Sequence, residues 1–462
     1  MIILKKNVNH GVIKYKDKDY SYSFKDNIIT LTPKELEPYW QNMFKNFKRE
    51  EKEENVYGIS NSNYPVAFIK LNLVDIGGGV LQSFVPAYIV ANANVVSPLP
   101  EINNFKSMTF YGDCINSLYS PKQMIKEANI TKRYKPYMKF KHPKEVVKSI
   151  PVNNLDFIFR IRWEFPIKDK VPAVLLKSLL EIKFDKKKGI DEIIEYYQQV
   201  KNLFSFINNR AYIEFTEILL NADMFVKDSD KEKAKNVGVD YNLYITLPQD
   251  VKIDLPNSIY ETRLNKIENG FEGLFNTLNN CGGYNLHFPD NQYDEDHLDI
   301  DKFLRGASAF ESWFDINFDD FKSDTDSLYK ALKTDVLDFI RERGKITNAT
   351  GRDYLKRFKN EIERQEGTLL EQLVYSYQIF ESCVQKVKDR IYRHYNLKDT
   401  KINDVFLALV QKRNRLSHGD IKDLRFSREE IVAFIILERL IQCLIYYKAG
   451  FKLDTISEIV DK

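Results

Sequence analysis

The sequence predicts an α+β protein, with a strand-rich mixed N-terminal domain followed by an all-α helical bundle. Three observations carry this. Residues 1–285 are irregular in period and rich in Tyr, Phe, Val and Ile, as strand-forming segments are. From residue 303 to residue 462 the apolar residues recur only at helical spacings. Between them, residues 286–302 hold HFPDNQYDEDHLDID, an acidic stretch without periodicity that reads as a linker.

In the N-terminal part, Ala67 to Asp75 is a strand candidate, and Gly77 to Gly79 follow it. No G-K-[ST] or G-x-G-x-x-G spacing accompanies these glycines, so they predict a hairpin turn or bulge instead of a phosphate loop. Leu155, Phe157, Phe159, Ile161, Trp163 and Phe165 alternate with Asp156, Arg160, Arg162 and Glu164, the pattern of a half-buried strand that only Ile158 breaks. A second strand-like run covers Leu175 to Phe184. The turn KKKG then leads into Ile190, Ile193, Ile194, Tyr197, Val200, Phe204 and Ile207, an amphipathic helix. Ala211 to Leu219 and Tyr241 to Leu247 are further strand candidates.

The C-terminal helical faces are Leu328, Leu332, Val336, Phe339 and Ile340; Tyr354, Leu355, Phe358 and Ile362; and Leu370 to Ile391 at the same spacing. Each is expected to face a bundle core. Tyr375, Tyr377, Tyr392 and Tyr395 belong to core and interface more than to a ligand platform. Two more helices span Asn403 to His418 and Arg428 to Ala449. Ser427 and Glu430 form a capping box at the start of the last, with Phe426 and Ile431 spaced as a hydrophobic staple.

Bulk properties narrow the class. Of 462 residues, 43% are hydrophobic, enough for two or three packed domains. Lys and Arg number 69 against 66 acidic residues, so attraction for nucleic acid has to come from local patches. The four cysteines are scattered without a C-x-x-C pair, which fits a reducing, cytoplasmic setting and no disulfide framework. MIILKKNVNH lacks the apolar core of a secretory signal, and the apolar run Ile431 to Tyr447 is interrupted by Glu438, Arg439 and Gln442, so no membrane span is expected. The histidines show no metal-ligand spacing such as H-E-x-x-H, and no cofactor motif is present.

The segment QKRNRLSHGD, residues 411–420, ends an otherwise apolar helix with charge. Ile402, Phe406, Leu409, Arg413 and Leu416 share one face at spacings of four and three, which puts Arg413 on the stripe facing the bundle. A guanidinium there needs an anionic partner or an interface, because an unpaired buried charge costs several kcal/mol. Asn414 and His418 are neighbours four apart, whereas Arg413 and His418 point about 140° apart on an ideal helix. Convergence therefore requires a helix that loosens near Gly419, or two copies of the cluster paired across a dimer. A plainer role is open too: Arg413 and Arg415 offset the helix dipole and His418 caps carbonyls.

RNRLSHG, near the end of the penultimate helix of an all-α domain and followed by a capped apolar helix, resembles the signature of the HEPN superfamily. With the segment FLRGASAFESWF at 303 to 314, and more loosely the strand–helix unit at 175 to 207, the arrangement looks like the ApeA-like branch, bacterial anti-phage effectors with a long N-terminal domain. The resemblance implies that Arg413, Asn414 and His418 are catalytic in metal-independent RNA cleavage by a homodimer, with two motifs forming one site. The RNA it implies is tRNA or another cellular RNA, and a phage-derived trigger would act through an N-terminal domain that senses or restrains.

The chemistry suits those side chains. An imidazole can move a proton near neutral pH, and a guanidinium can stabilise the phosphorane formed when an RNA 2′-hydroxyl attacks its own phosphodiester. DNA lacks that nucleophile. Substrate contact is also expected along residues 132–148, which carry seven Lys or Arg against one Glu with interleaved aromatics. Lys132, Arg133, Tyr134, Lys135, Lys139 and Lys141 are the candidates there, with Arg415 in the helix. Two other functions stay open: a HEPN-like module that binds RNA or nucleotides without cutting, and an adaptor whose bundle only dimerises.

Overall fold

The computed structural model describes residues 8–15, 18–34, 54–77, 81–91, 104–121, 146–164, 167–168, 171–172, 175–208, 210, 213, 215–227, 234–245, 263–280, 297–321, 327–364, 369–418 and 425–461. The chain is α+β: strands dominate its first part and helices its second. It divides into two compact units, Met1–Glu272 and Gly273–Lys462.

The first unit begins with six antiparallel strands, β1 (His10–Tyr15), β2 (Lys18–Lys25), β3 (Ile28–Pro33), β4 (Glu54–Ser60), β5 (Pro65–Gly77) and β6 (Leu81–Ala91). They run in the order β3-β2-β1-β4-β5-β6, and β3 pairs back onto β6 through Ile29–Phe84, Thr30–Ser83 and Leu31–Gln82. This closes a barrel and leaves no free edge between those strands. Alternate residues point inward: Gly11, Ile13 and Tyr15 of β1 are buried while Val12 and Lys14 are not. Ile13, Tyr22, Phe24, Leu31, Phe68, Phe84 and Ile89 belong to the filling. Gly11 has no substitute here, because a Cβ would stand 2.2 Å from the Ile59 carbonyl oxygen. Asp26 and Asn27, both at positive φ, form the two-residue turn between β2 and β3. β5 ends at Gly77, which pairs with Leu81 of the antiparallel β6, a hairpin as expected, while Gly78 and Gly79 lie outside the described residues.

The sheet continues from β6 through β14 (Ala234–Ile245), β13 (Glu217–Lys227), β7 (Phe105–Tyr111), β12 (Leu175–Lys188) and β9 (Leu155–Glu164) to β8 (Val146–Val152). A short helix α1 (Asp113–Leu118) follows β7, and the two-residue strands β10 (Ile167–Lys168) and β11 (Val171–Pro172) form a small hairpin between β9 and β12. Helix α2 (Ile190–Asn208) buries every one of its seven expected apolar positions. Tyr197 meets Tyr88 of the sheet, and Gln198 donates to the Tyr88 hydroxyl at 2.6 Å. After the sheet come α3 (Leu264–Ile267) and α4 (Phe271–Asn280). In β9, Phe157, Phe159 and Ile161 are buried, and Phe271, the first residue of α4, sets its ring 5.3 Å from Phe157 and 5.9 Å from Phe159. Ile158, the residue that broke the alternation, is buried on the opposite face.

Two boundaries differ from expectation. KKKG is not a turn up to its glycine: β12 runs to Lys188, which pairs with Phe105. Lys186 and Lys187 are exposed, so backbone pairing extends the strand where hydropathy carries no signal. β13 starts at Glu217, so of the described residues of the Ala211 to Leu219 candidate only Glu217 to Leu219 are strand, and Ile213, Phe215 and Thr216 are not.

The second unit holds α5 (Ile300–Asn317), α6 (Ser327–Ile346), α7 (Ala349–Arg364), α8 (Leu369–Tyr395), α9 (Ile402–Ser417), α10 (Arg428–Lys448) and α11 (Leu453–Val460). α5 opens at Ile300, inside the stretch read as linker, because Asp299 caps it by accepting the Lys302 N–H at 2.8 Å. α10 is the central helix, buried from Val432 to Tyr446 on most of its circumference, and α5, α8 and α9 pack around it. Among the described residues no helix is long and apolar enough to cross a membrane.

Phe303 of α5 stacks on Phe434 of α10 at 5.6 Å, and Gly306 lies one turn further on. A Cβ at Gly306 would fall 2.6 Å from the Phe434 ring. Gly306→Ala is therefore expected to destabilise the helical unit by about 1–2 kcal/mol, overpacking outweighing the gain in helix propensity. Urea unfolding of the variant reads this out, and an unchanged midpoint contradicts it.

Among the described residues, most of the apolar face of α6 and α7 is left exposed, contrary to their periodicity. Ile340 is buried, but Phe339, Tyr354 and Phe358 are 58%, 65% and 68% exposed. The two helices pack on each other, which consumes only the strip between them. Periodicity reports an apolar face and not what covers it.

Candidate functional site

α9 carries the charged cluster. Its buried line is Val405, Leu409, Lys412 and Leu416, with Phe406 beside it. Phe406, Leu409 and Leu416 are buried as the expected stripe requires, but between Leu409 and Leu416 the buried cation is Lys412 and not Arg413. Lys412 is 2% exposed; its ammonium donates to the Arg425 carbonyl at 2.7 Å, sits 5.2 Å from the Phe426 ring and lies 3.9 Å from Glu430. Hydropathy places lysine outside. Here its aliphatic stem packs in the bundle and the loop before α10 supplies a carbonyl for its head.

Glu430 gathers the cluster from below. It is the third residue of α10 and closes the expected capping box, accepting the Ser427 N–H at 2.7 Å while the Ser427 hydroxyl accepts its own N–H at 3.1 Å. Arg415 donates to its other carboxylate oxygen at 3.2 Å. One carboxylate thus joins the helix cap to two cations of the motif.

Arg413 is half-buried and finds its anion on α5, where Glu311 accepts from Nη2 at 3.1 Å; Nη1 lies 3.4 Å from the Asn414 side-chain oxygen. Asp315, one turn along α5, takes Gln372 of α8 at 3.4 Å. Burial raises the Glu311 carboxyl above its usual range, and the neighbouring Asp315 adds to this, while Arg413 pulls it back down. Asp315 is raised by burial as well.

A carboxylate raised in the folded state holds its proton where the unfolded chain has lost it. Stability from this group is therefore present at low pH and falls as pH rises from the ordinary carboxylate range through the raised value. Thermal midpoints of wild type and Glu311→Gln, measured across that window, are expected to differ most at its upper end, with the glutamine variant lacking this slope. Parallel curves would refute it.

His418 ends α9. Its N–H donates to the Asn414 carbonyl at 3.1 Å, its backbone has turned to φ −91° and ψ 8°, and its side chain is exposed. Arg413 and Asn414 are brought together, Arg415 is drawn to the opposite carboxylate, and His418 stands at the helix end facing solvent. Lys132, Arg133, Tyr134, Lys135, Lys139 and Lys141 lie outside the described residues. Among the described residues, no three His, Cys, Asp or Glu side chains converge as a metal ion would require.

Glu311 is the residue that the sequence alone did not single out. Its signal lies in FLRGASAFESWF as a carboxylate beside Phe310 at the edge of an apolar face, complementary to the guanidinium on the apolar side of α9. The pairing spans 102 positions and only the packed helices reveal it. No known protein family, no curated protein and no solved structure matches this chain.

Proposed function

We propose that the chain is a HEPN-type RNA endonuclease that needs no metal, works as a homodimer through its helical domain, and serves in anti-phage abortive infection by cutting tRNA or another cellular RNA. The observation that supports it most is the last turn of α9. A guanidinium fixed by Glu311, a polar amide and an open imidazole stand within six residues of one another.

Arg413 stabilises the charge that develops on the phosphorane, and two His418 imidazoles, one per protomer, act as base and acid. The base takes the 2′-hydroxyl proton, that oxygen attacks phosphorus, and the acid protonates the departing 5′-oxygen. The products are a 2′,3′-cyclic phosphate and a 5′-hydroxyl. The N-terminal unit, cytoplasmic with the rest of the chain, restrains the helical unit until a phage-derived trigger arrives.

The test is incubation of the full chain with labelled tRNA and a matched DNA oligonucleotide in excess EDTA, with the product ends identified. Cleavage of RNA alone, ending in cyclic phosphate, is expected. Cleavage of both nucleic acids, or dependence on a divalent ion, overturns the mechanism.

A second reading draws on a different observation. Arg413 and Arg415 are each already engaged by a bundle carboxylate, as in a helical module that dimerises or binds RNA without cutting it. It predicts RNA affinity or assembly that survives loss of His418.

A further inference from the structure

We propose that a cleft at the C-terminal end of α5 binds an organic cation, an ammonium or guanidinium group borne on an apolar chain. The cleft has a volume of about 760 Å³ and lies between the end of α5 with the residues following it, the first three turns of α8 and the start of α9. That size is typical of sites for small ligands.

One wall is aromatic. Tyr375 stands edge-on to Phe318 at 5.3 Å and lies 4.7 Å from Phe321, while the fully buried Phe314 backs them at 6.1 Å from Tyr375. Phe318, Phe321 and Tyr375 line the cleft and are only partly covered, so they offer it aromatic surface. The rim is acidic. Asp319, Asp320 and Glu371 line it, and none of the described lining residues is a lysine, arginine or histidine.

A neutral apolar ligand would use the wall and gain nothing from the acidic rim. An anion would be repelled by that rim. A cation on an apolar chain suits both surfaces: the charged head takes the carboxylates and a ring face, and the methylenes cover the aromatic wall. Two sources share that chemistry, a free polyamine and the arginine or lysine side chain of a partner protein. The cleft uses neither Arg413 nor His418, so its occupancy is independent of the proposed cleavage.

Titration calorimetry on the full chain tests this with spermidine, with N-acetylarginine amide, and with 1,8-octanediol as the uncharged control. Saturable binding of at least one cation and none of the diol is expected. Asp319→Asn/Asp320→Asn, two exposed changes that leave the fold intact, should weaken it about tenfold, and Tyr375→Leu should weaken it by a similar factor. Preference for spermidine assigns the cleft to a polyamine, and preference for the arginine amide assigns it to a partner's side chain. Absence of saturable heat with both cations at about 10 mM, or equal affinity in the double asparagine variant, overturns the proposal.

Discussion

Arg413→Lys and His418→Ala, each with an unaltered circular dichroism spectrum, are expected to lower tRNA cleavage in EDTA by about 10²–10⁴-fold, the range for loss of a positioned proton carrier or of a preorganised charge. Lysine is the informative replacement at 413. It keeps a cation opposite Glu311, so the α5–α9 contact survives, but its single ammonium cannot offer two parallel N–H donors to a phosphorane. A merely electrostatic strut would tolerate it. At 418 the side chain is exposed and the backbone alone bonds to Asn414, so alanine removes the imidazole without disturbing the helix end. Undiminished cleavage in both variants would move the active site elsewhere, and RNA binding that persists without cleavage in wild type would favour the non-catalytic module.

Glu430→Ala should have the largest effect on stability, a loss of about 3–5 kcal/mol from the helical unit, as when one partner of a buried ion pair is deleted. Glu430 is 5% exposed, and its carboxylate serves the Ser427 cap, Arg415 and Lys412 together. In the variant the Lys412 ammonium keeps the Arg425 carbonyl and the Phe426 ring but loses the Glu430 charge. Chemical denaturation monitored on the full chain measures the change. The double variant Lys412→Met/Glu430→Gln is the control, because removing both charges together should recover most of the loss. A cost for Glu430→Ala below about 1 kcal/mol would mean that solvent reaches the pair and that its burial is unimportant.

Features set by neighbours along the chain are legible in the residues alone. β9 follows its alternation, α2 its three-and-four spacing, and Ser427 and Glu430 their capping box, because each depends on residues within a turn or a strand of one another. Hydropathy also marks the amphipathic faces of α6 and α7 but misjudges their fate, since an apolar stripe does not state what it meets.

The sequence by itself thus determined the order of strand and helix, the α+β class and the position of the charged cluster in its helix. Tertiary structure alone decided that β3 closes on β6, that Lys412 and not Arg413 is the buried cation, and that Glu311 holds the guanidinium. The physical reason is distance along the chain. Backbone sterics and side-chain periodicity act over a few residues, whereas barrel closure and the choice of a counter-ion depend on which surfaces, tens or a hundred residues apart, are driven together by burial of their apolar faces.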